Sequence, residues 1–226
     1  MSKQNFKVGM LLITLGIPAF VFLFLKFFGK NKFDLPYYFP KLNESGEVMI
    51  SDGDTVFSQI PRFILLNQDS LQYESVKDTS QIKVVNFFFS RCGTICPVTN
   101  KNINRLSERF RDKSVKFISI SVDPKFDRPW ILQKYKNTFL YKNKNWELLT
   151  GDKKYIYELA IKDFKLPVSD ASEYDPNIKD TDETFIHSEK FLLLDNKGFV
   201  RGIYDGTNEP DVERLSVEIK VLLTQN

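Results

Sequence analysis

The sequence predicts a layered α/β domain behind a single N-terminal transmembrane helix. Three observations carry this. From Val8 to Leu25 the chain has 18 residues without a charge, near the lower limit for a helix that spans a bilayer. Farther on, short apolar runs of strand type alternate with segments whose apolar residues recur at helical spacing. One of those runs, Ile82 to Phe89, leads directly into a two-cysteine motif at the opening of a helix.

Taken in order, residues 1–30 read as a membrane anchor with a short N-terminus ahead of the span. Gly16 and Pro18 are tolerated in a membrane helix. No small-x-small cleavage site follows, since the next residues are Lys26-Phe27-Phe28-Gly29-Lys30, so the segment reads as an uncleaved anchor and not a signal peptide. Lys3 and Lys7 on one side and Lys26, Lys30 and Lys32 on the other leave its orientation nearly tied. Residues 31–56 hold prolines and turn formers and read as a linker with a short hairpin. Residues 57–226 form the domain.

Within the domain, Pro61 to Leu66 and Ile82 to Phe89 are strands, the second an almost continuous apolar run of the buried kind. Ile103, Leu106 and Phe110 fall at helical spacing, which predicts a helix from Pro97 to about Arg111. Pro97 suits a first turn, where intrahelical N–H donors are not needed. Val115 to Ser121 is a strand, a helix opens near Pro129, Trp146 to Leu149 is a short strand, and Lys153 to Ile161 is a helix. Residues 162–183 read as an exposed loop. Lys190 to Leu194 and Phe199 to Tyr204 form a hairpin across Asn196-Lys197-Gly198, and Val212, Leu215, Ile219 and Leu222 share one face of a closing helix. A strand running into a cysteine motif at a helix start, with a later hairpin and terminal helix, predicts a thioredoxin-like fold.

Charge excludes one class of partner. The formal charge is +3, but residues 1–33 carry five lysines and no acid, so the remainder sums to −2. A nucleic-acid-binding domain would carry the basic excess on its folded part. Two cysteines and one histidine are also too few for a disulfide scaffold or a four-ligand zinc site.

The chemistry concentrates in Phe89-Ser90-Arg91-Cys92-Gly93-Thr94-Ile95-Cys96-Pro97. A helix start favours thiolate through its dipole and free N–H groups. Residues four apart on a helix lie roughly 6 Å apart, within the range of about 4.4–6.8 Å that a disulfide accepts. Three readings of Cys92 and Cys96 therefore stand: a redox-active disulfide, a two-sulfur site for a soft ion such as Cu(I), or two inert buried thiols. His187, alone in the chain and just ahead of the hairpin, reads either as a hydrogen-bonded surface residue or as a metal ligand.

Together these pieces resemble the SCO1/SenC family, the copper chaperones of cytochrome c oxidase assembly. The resemblance rests on FFFSRCGTICP, ISVDP with Asp123, NWELLTG from Asn145, and His187 ahead of FLLLDNKGFVRGIYDG, in family order from about Pro61 to Leu223. It implies that Cys92, Cys96 and His187 are the ligands of copper, Cu(I) or Cu(II). Asp123 matches a family aspartate near the site, although by itself it reads as a cap on the following turn; Trp146 reads as core. The chain departs from the family in Gly93-Thr94-Ile95 between the cysteines and in Ile186 before the histidine.

The resemblance implies a metallochaperone rather than an enzyme. It would be held in the bacterial inner (plasma) membrane by one span, with its domain in the periplasm, and would deliver copper to the copper-site subunit of cytochrome c oxidase. A thiol–disulfide oxidoreductase that reduces the recipient's cysteines is the alternative. A peroxiredoxin-like enzyme and a redox or copper sensor are further readings.

Overall fold

The computed structural model describes residues 3–28, 34–75, 81–138, 144–170, 185–186 and 188–225. His187 therefore lies outside the described residues, as does most of the loop expected over 162–183. The chain divides into two compact units, Met1–Asp34 and Leu35–Asn226.

The first unit is helix α1, Lys3–Phe28, about 39 Å long at 1.5 Å per residue. Phe20, Val21, Phe22, Leu23 and Phe24 are all exposed. Five consecutive positions cover more than a full turn, so this part of the helix has no polar side. Over the described residues, however, no helix is long and apolar enough to cross a membrane, and the fold does not by itself show the transmembrane helix expected from the sequence.

The second unit opens with a segment laid against the domain. Leu35 is buried, Tyr38 N–H donates to Val200 O at 2.9 Å, and β1 (Ile50–Ser51) and β2 (Asp54–Thr55) make the expected short hairpin. Of the residues expected to be a linker, Leu35, Pro36 and Tyr38 are bonded to the domain.

The main sheet contains β3 (Ile64–Asn67), β4 (Gln72–Glu74), β5 (Ile82–Phe88), β6 (Val115–Ser121), β7 (Trp146–Thr150), β10 (Lys190–Leu194) and β11 (Val200–Asp205). Among the described residues their order is β11-β10-β5-β6-β7-β3-β4. β5, β6 and β7 are parallel, and the flanking strands run antiparallel. Every residue of β5 is buried, which is why its sequence reads as an almost continuous apolar run, broken only by Lys83 and Asn86, and not an alternating one. The edge strand β4 is short and half-polar, and it left no apolar signal in the sequence.

Helix α2 (Cys96–Arg109) packs on β6, α3 (Pro129–Lys136) on β7, and the last helix, α5 (Glu209–Gln225), on β11 and β5. The expected helix after Lys153 divides into α4 (Lys153–Glu158) and a π-type turn, Leu159–Asp163. The wider turn carries Leu159, Ala160 and Phe164 into the core, where the Phe164 ring meets Phe87 at 5.4 Å. Two short strands, β8 (Ser169–Asp170) and β9 (Phe185–Ile186), pair antiparallel. In the centre, Trp146 is fully buried as expected, and its Nε1–H donates to Ser119 Oγ at 3.0 Å.

Candidate metal centre

Parallel register brings the site together. Phe88, at the end of β5, lies opposite Ser121, at the end of β6, so the segments that leave the two strands emerge side by side. The carboxyl ends of parallel strands are where α/β sheets place ligands.

After β5 the chain turns sharply, with Cys92 N–H donating to Phe89 O at 3.3 Å. It enters α2 at Cys96, with Pro97 in the first turn and no side-chain cap from Ile95. Cys92 supplies the missing acceptor: Cys96 N–H donates to Cys92 Sγ at 3.3 Å. An amide at a helix start aimed at a sulfur stabilises negative charge there, whether in a thiolate or in a metal–sulfur bond.

Neither cysteine is in a disulfide, and they are 6% and 1% exposed. The hydrogen bond with Cys92, then burial, push the Cys96 thiol far above the ordinary range, against a smaller opposing effect of the Phe89 backbone. These surroundings favour the protonated Cys96 thiol, and a metal ion that binds there must displace that proton. Two neighbouring thiols with an amide on one sulfur can do two things chemically. They can close a disulfide, or they can hold one soft ion.

The side chain of Asp123 does not cap the following turn. Its main-chain carbonyl does that, accepting Phe126 N–H at 3.1 Å and Asp127 N–H at 2.8 Å. The carboxylate instead accepts Arg91 Nη2 at 2.5 Å and Nε at 3.1 Å, and the Arg91 guanidinium also lies 4.4 Å over the Phe126 ring. Asp123 thus holds the residue next to Cys92.

Sequence reasoning missed two buried neighbours, Asp127 and Tyr135. Asp127 is wholly buried and bonded to Ser90 and Ser121. Burial pushes its carboxyl up, partly offset by the Ser121 and Ser90 hydrogen bonds. Burial also pushes the Tyr135 phenol up to about 12, while its bond from Asn100 Nδ2, at 2.8 Å, works the other way. Nothing in the local pattern of Asp-Pro-Lys-Phe-Asp marks the second aspartate as different from a surface charge.

Among the described residues no three His, Cys, Asp or Glu side chains gather as a metal cage; Cys92 and Cys96 are two. β10 runs antiparallel to β5, with Leu192 opposite Val85. The chain therefore enters β10 from the end of β5 that carries the cysteines.

A family model described as SCO1/SenC matches residues 53–223. The chain belongs to the SCO1/SenC family. A SCO1 homologue of Bacillus subtilis is 28% identical over 172 residues, covering 74% of this chain and 84% of its own. The crystal structure of a SCO1/SenC family lipoprotein from Bacillus anthracis is 28% identical, covers 73% of this chain and 94% of its own, and superposes with a TM-score of 0.64. BsSco, described as having a disulfide switch and as one of the Sco family of cytochrome c oxidase assembly proteins, is 27% identical. It covers 74% and 95% of the two chains at a TM-score of 0.64. The α/β fold of this SCO1/SenC protein is thus the thioredoxin-like fold of its relatives, as expected from the sequence.

Proposed function

We propose that this protein is a membrane-anchored metallochaperone that carries copper to the binuclear copper site of cytochrome c oxidase during its assembly. The observation that carries the reading is the pair of buried thiols at the start of α2, with Cys96 N–H on Cys92 Sγ, inside the stretch that matches the family. Two thiolates suit Cu(I) better than they suit zinc, which asks for more ligands. Relatives of the same fold from Bradyrhizobium japonicum and yeast have been solved with copper bound, and BsSco is described as belonging to a family of oxidase assembly proteins.

His187 is the proposed third ligand. The direction of β10 and the place of His187 just ahead of it favour this. Three ligands leave a position open for the recipient's thiolate, which suits a cargo ion that must leave by ligand exchange. Asp123 is proposed to act on the site only through Arg91.

The anchor is proposed to be α1, with residues 57–226 as the copper-binding domain outside the cytoplasm, in a bacterial periplasm. The uncharged stretch of α1 from Val8 to Leu25 runs for 18 positions, about 27 Å of helix, near the lower limit for the hydrocarbon core of a bilayer, about 30 Å thick.

The test is metal stoichiometry. The full-length protein in detergent, with thiols reduced, is expected to bind one Cu(I), and Cys92→Ser or Cys96→Ser to lose most of that affinity. Unchanged Cu(I) affinity in either variant would exclude the site. The second reading, a thiol–disulfide oxidoreductase acting on the recipient's cysteines, is favoured by the closeness of the two free cysteines, with Cys96 N–H on Cys92 Sγ, and by the disulfide switch described for BsSco.

A further inference from the structure

A fully buried carboxyl is expensive unless donors satisfy it. Asp127 is 0% exposed, and it is held by hydroxyl and amide donors: Oδ2 accepts Ser90 N–H at 3.0 Å and Ser121 Oγ–H at 2.5 Å, and Oδ1 accepts Ser90 Oγ–H. Two of the three bonds go to one residue, two positions before Cys92. The same turn, closed by Asp127 N–H on Asp123 O at 2.8 Å, grips the next residue through Asp123 and Arg91. Ser121 joins the set to the end of β6, where its Oγ also accepts Asp123 N–H at 3.1 Å. Residues 89, 90 and 91 are therefore each fixed, by Cys92 N–H, Asp127 and Asp123 respectively, and the chain reaches Cys92 with little freedom left. In that register Cys92 Sγ meets Cys96 N–H at 3.3 Å. Packing alone would be served as well by an apolar residue, since buried ionisable groups are weak contributors to stability.

We propose that Asp127 is a positioning residue for the Cys92–Cys96 pair, acting through Ser90. Its carboxylate sets where the Cys92 sulfur sits relative to Cys96, and so tunes both the balance between dithiol and disulfide and the hold on a soft ion. The copper half of this statement rests on the proposed function; the thiol half does not.

The experiment uses the full-length protein in detergent, with Asp127→Asn, Ser90→Ala and the double variant. Two quantities are read: the dithiol–disulfide equilibrium against glutathione, and Cu(I) affinity by competition with a chromophoric chelator. Asp127→Asn is expected to shift the thiol equilibrium about tenfold, which is about 30 mV, and to weaken Cu(I) binding about 10- to 100-fold. Acting through Ser90, it is expected to have an effect about threefold smaller in the Ser90→Ala background. Loss of thermal stability alone, with both readouts at wild-type values, overturns the proposal, and so does an Asp127→Asn effect of equal size in both backgrounds. Should Asp127→Asn fail to fold, Ser90→Ala by itself is expected to move both readouts in the same direction, and wild-type values there also overturn it. A wild-type protein that binds no copper would remove the chaperone reading, while the thiol equilibrium would still decide the role of Asp127.

Discussion

Cys92 and Cys96 are four residues apart in one motif, yet their surroundings differ. Cys92 Sγ receives a helix-start amide, whereas Cys96 is the more deeply buried and holds its proton strongly. In folding terms, Cys92 takes the place of the capping side chain that Ile95 lacks. Loss of a capping acceptor typically costs about 1 kcal/mol. Cys92→Ala is therefore expected to be less stable than Cys92→Ser by about that amount, because a serine oxygen can still accept the Cys96 amide. Denaturant unfolding of the metal-free protein measures the difference; equal stabilities would show that the sulfur is not capping α2. Arg91 is a smaller contributor, since its half-exposed guanidinium is screened by water.

Among the elements, the β10–β11 hairpin does more than close the sheet. Arg201 on β11 is 4% exposed, with Nη1 3.2 Å from Asp195 Oδ2. Its Nε donates to Pro36 O at 3.1 Å, its Nη2 to Leu35 O, and its guanidinium lies 3.9 Å from the Tyr37 ring. One buried cation thus fastens the start of the second unit to the hairpin that follows the proposed third ligand. Arg201→Met is expected to cost about 3–5 kcal/mol, the range for breaking a buried ion pair by removing one partner. It should also open the neighbourhood of the exposed Lys41 to trypsin. Wild-type stability with no new cleavage would mean that the segment is held by its other contacts.

At the scale of the whole molecule, copper delivery and thiol exchange make opposite demands on His187. Thiol–disulfide exchange needs a thiolate attacking a sulfur, and an imidazole outside the pair adds little to it. A copper carrier needs the third ligand to set affinity and release. His187→Ala is expected to stay folded and to cycle its disulfide at the wild-type rate. It should bind Cu(I) less tightly and fail to restore oxidase activity, under limiting copper, to cells deleted for the native gene. Full oxidase activity in that strain with weakened copper binding would favour the oxidoreductase reading. The anchor has its own check: a reporter active only after export, fused after Asn226, should be active, and activity from a cytoplasmic reporter alone would reverse the orientation.

The sequence by itself determined the central strands, the principal helices and where the two thiols would lie, but not β4, β8 or the π-type turn after α4. Those features depend on local pattern: the almost continuous apolar run of β5, the helical spacing of Ile103 and Leu106, and a proline just inside α2. The closing helix and hairpin were legible for the same reason. Only the tertiary structure decided what surrounds the thiols. Ser90 and Asp127 are 37 residues apart and Arg201 and Leu35 are 166 apart, and no short-range pattern records such meetings. They follow from strand pairing. Once β5 and β6 lie parallel with Phe88 opposite Ser121, the two chain segments beyond them must share one end of the sheet. The acid buried there, Asp127, takes its donors from both, Ser90 in the cysteine loop and Ser121 at the end of β6, since a buried carboxyl without donors is costly.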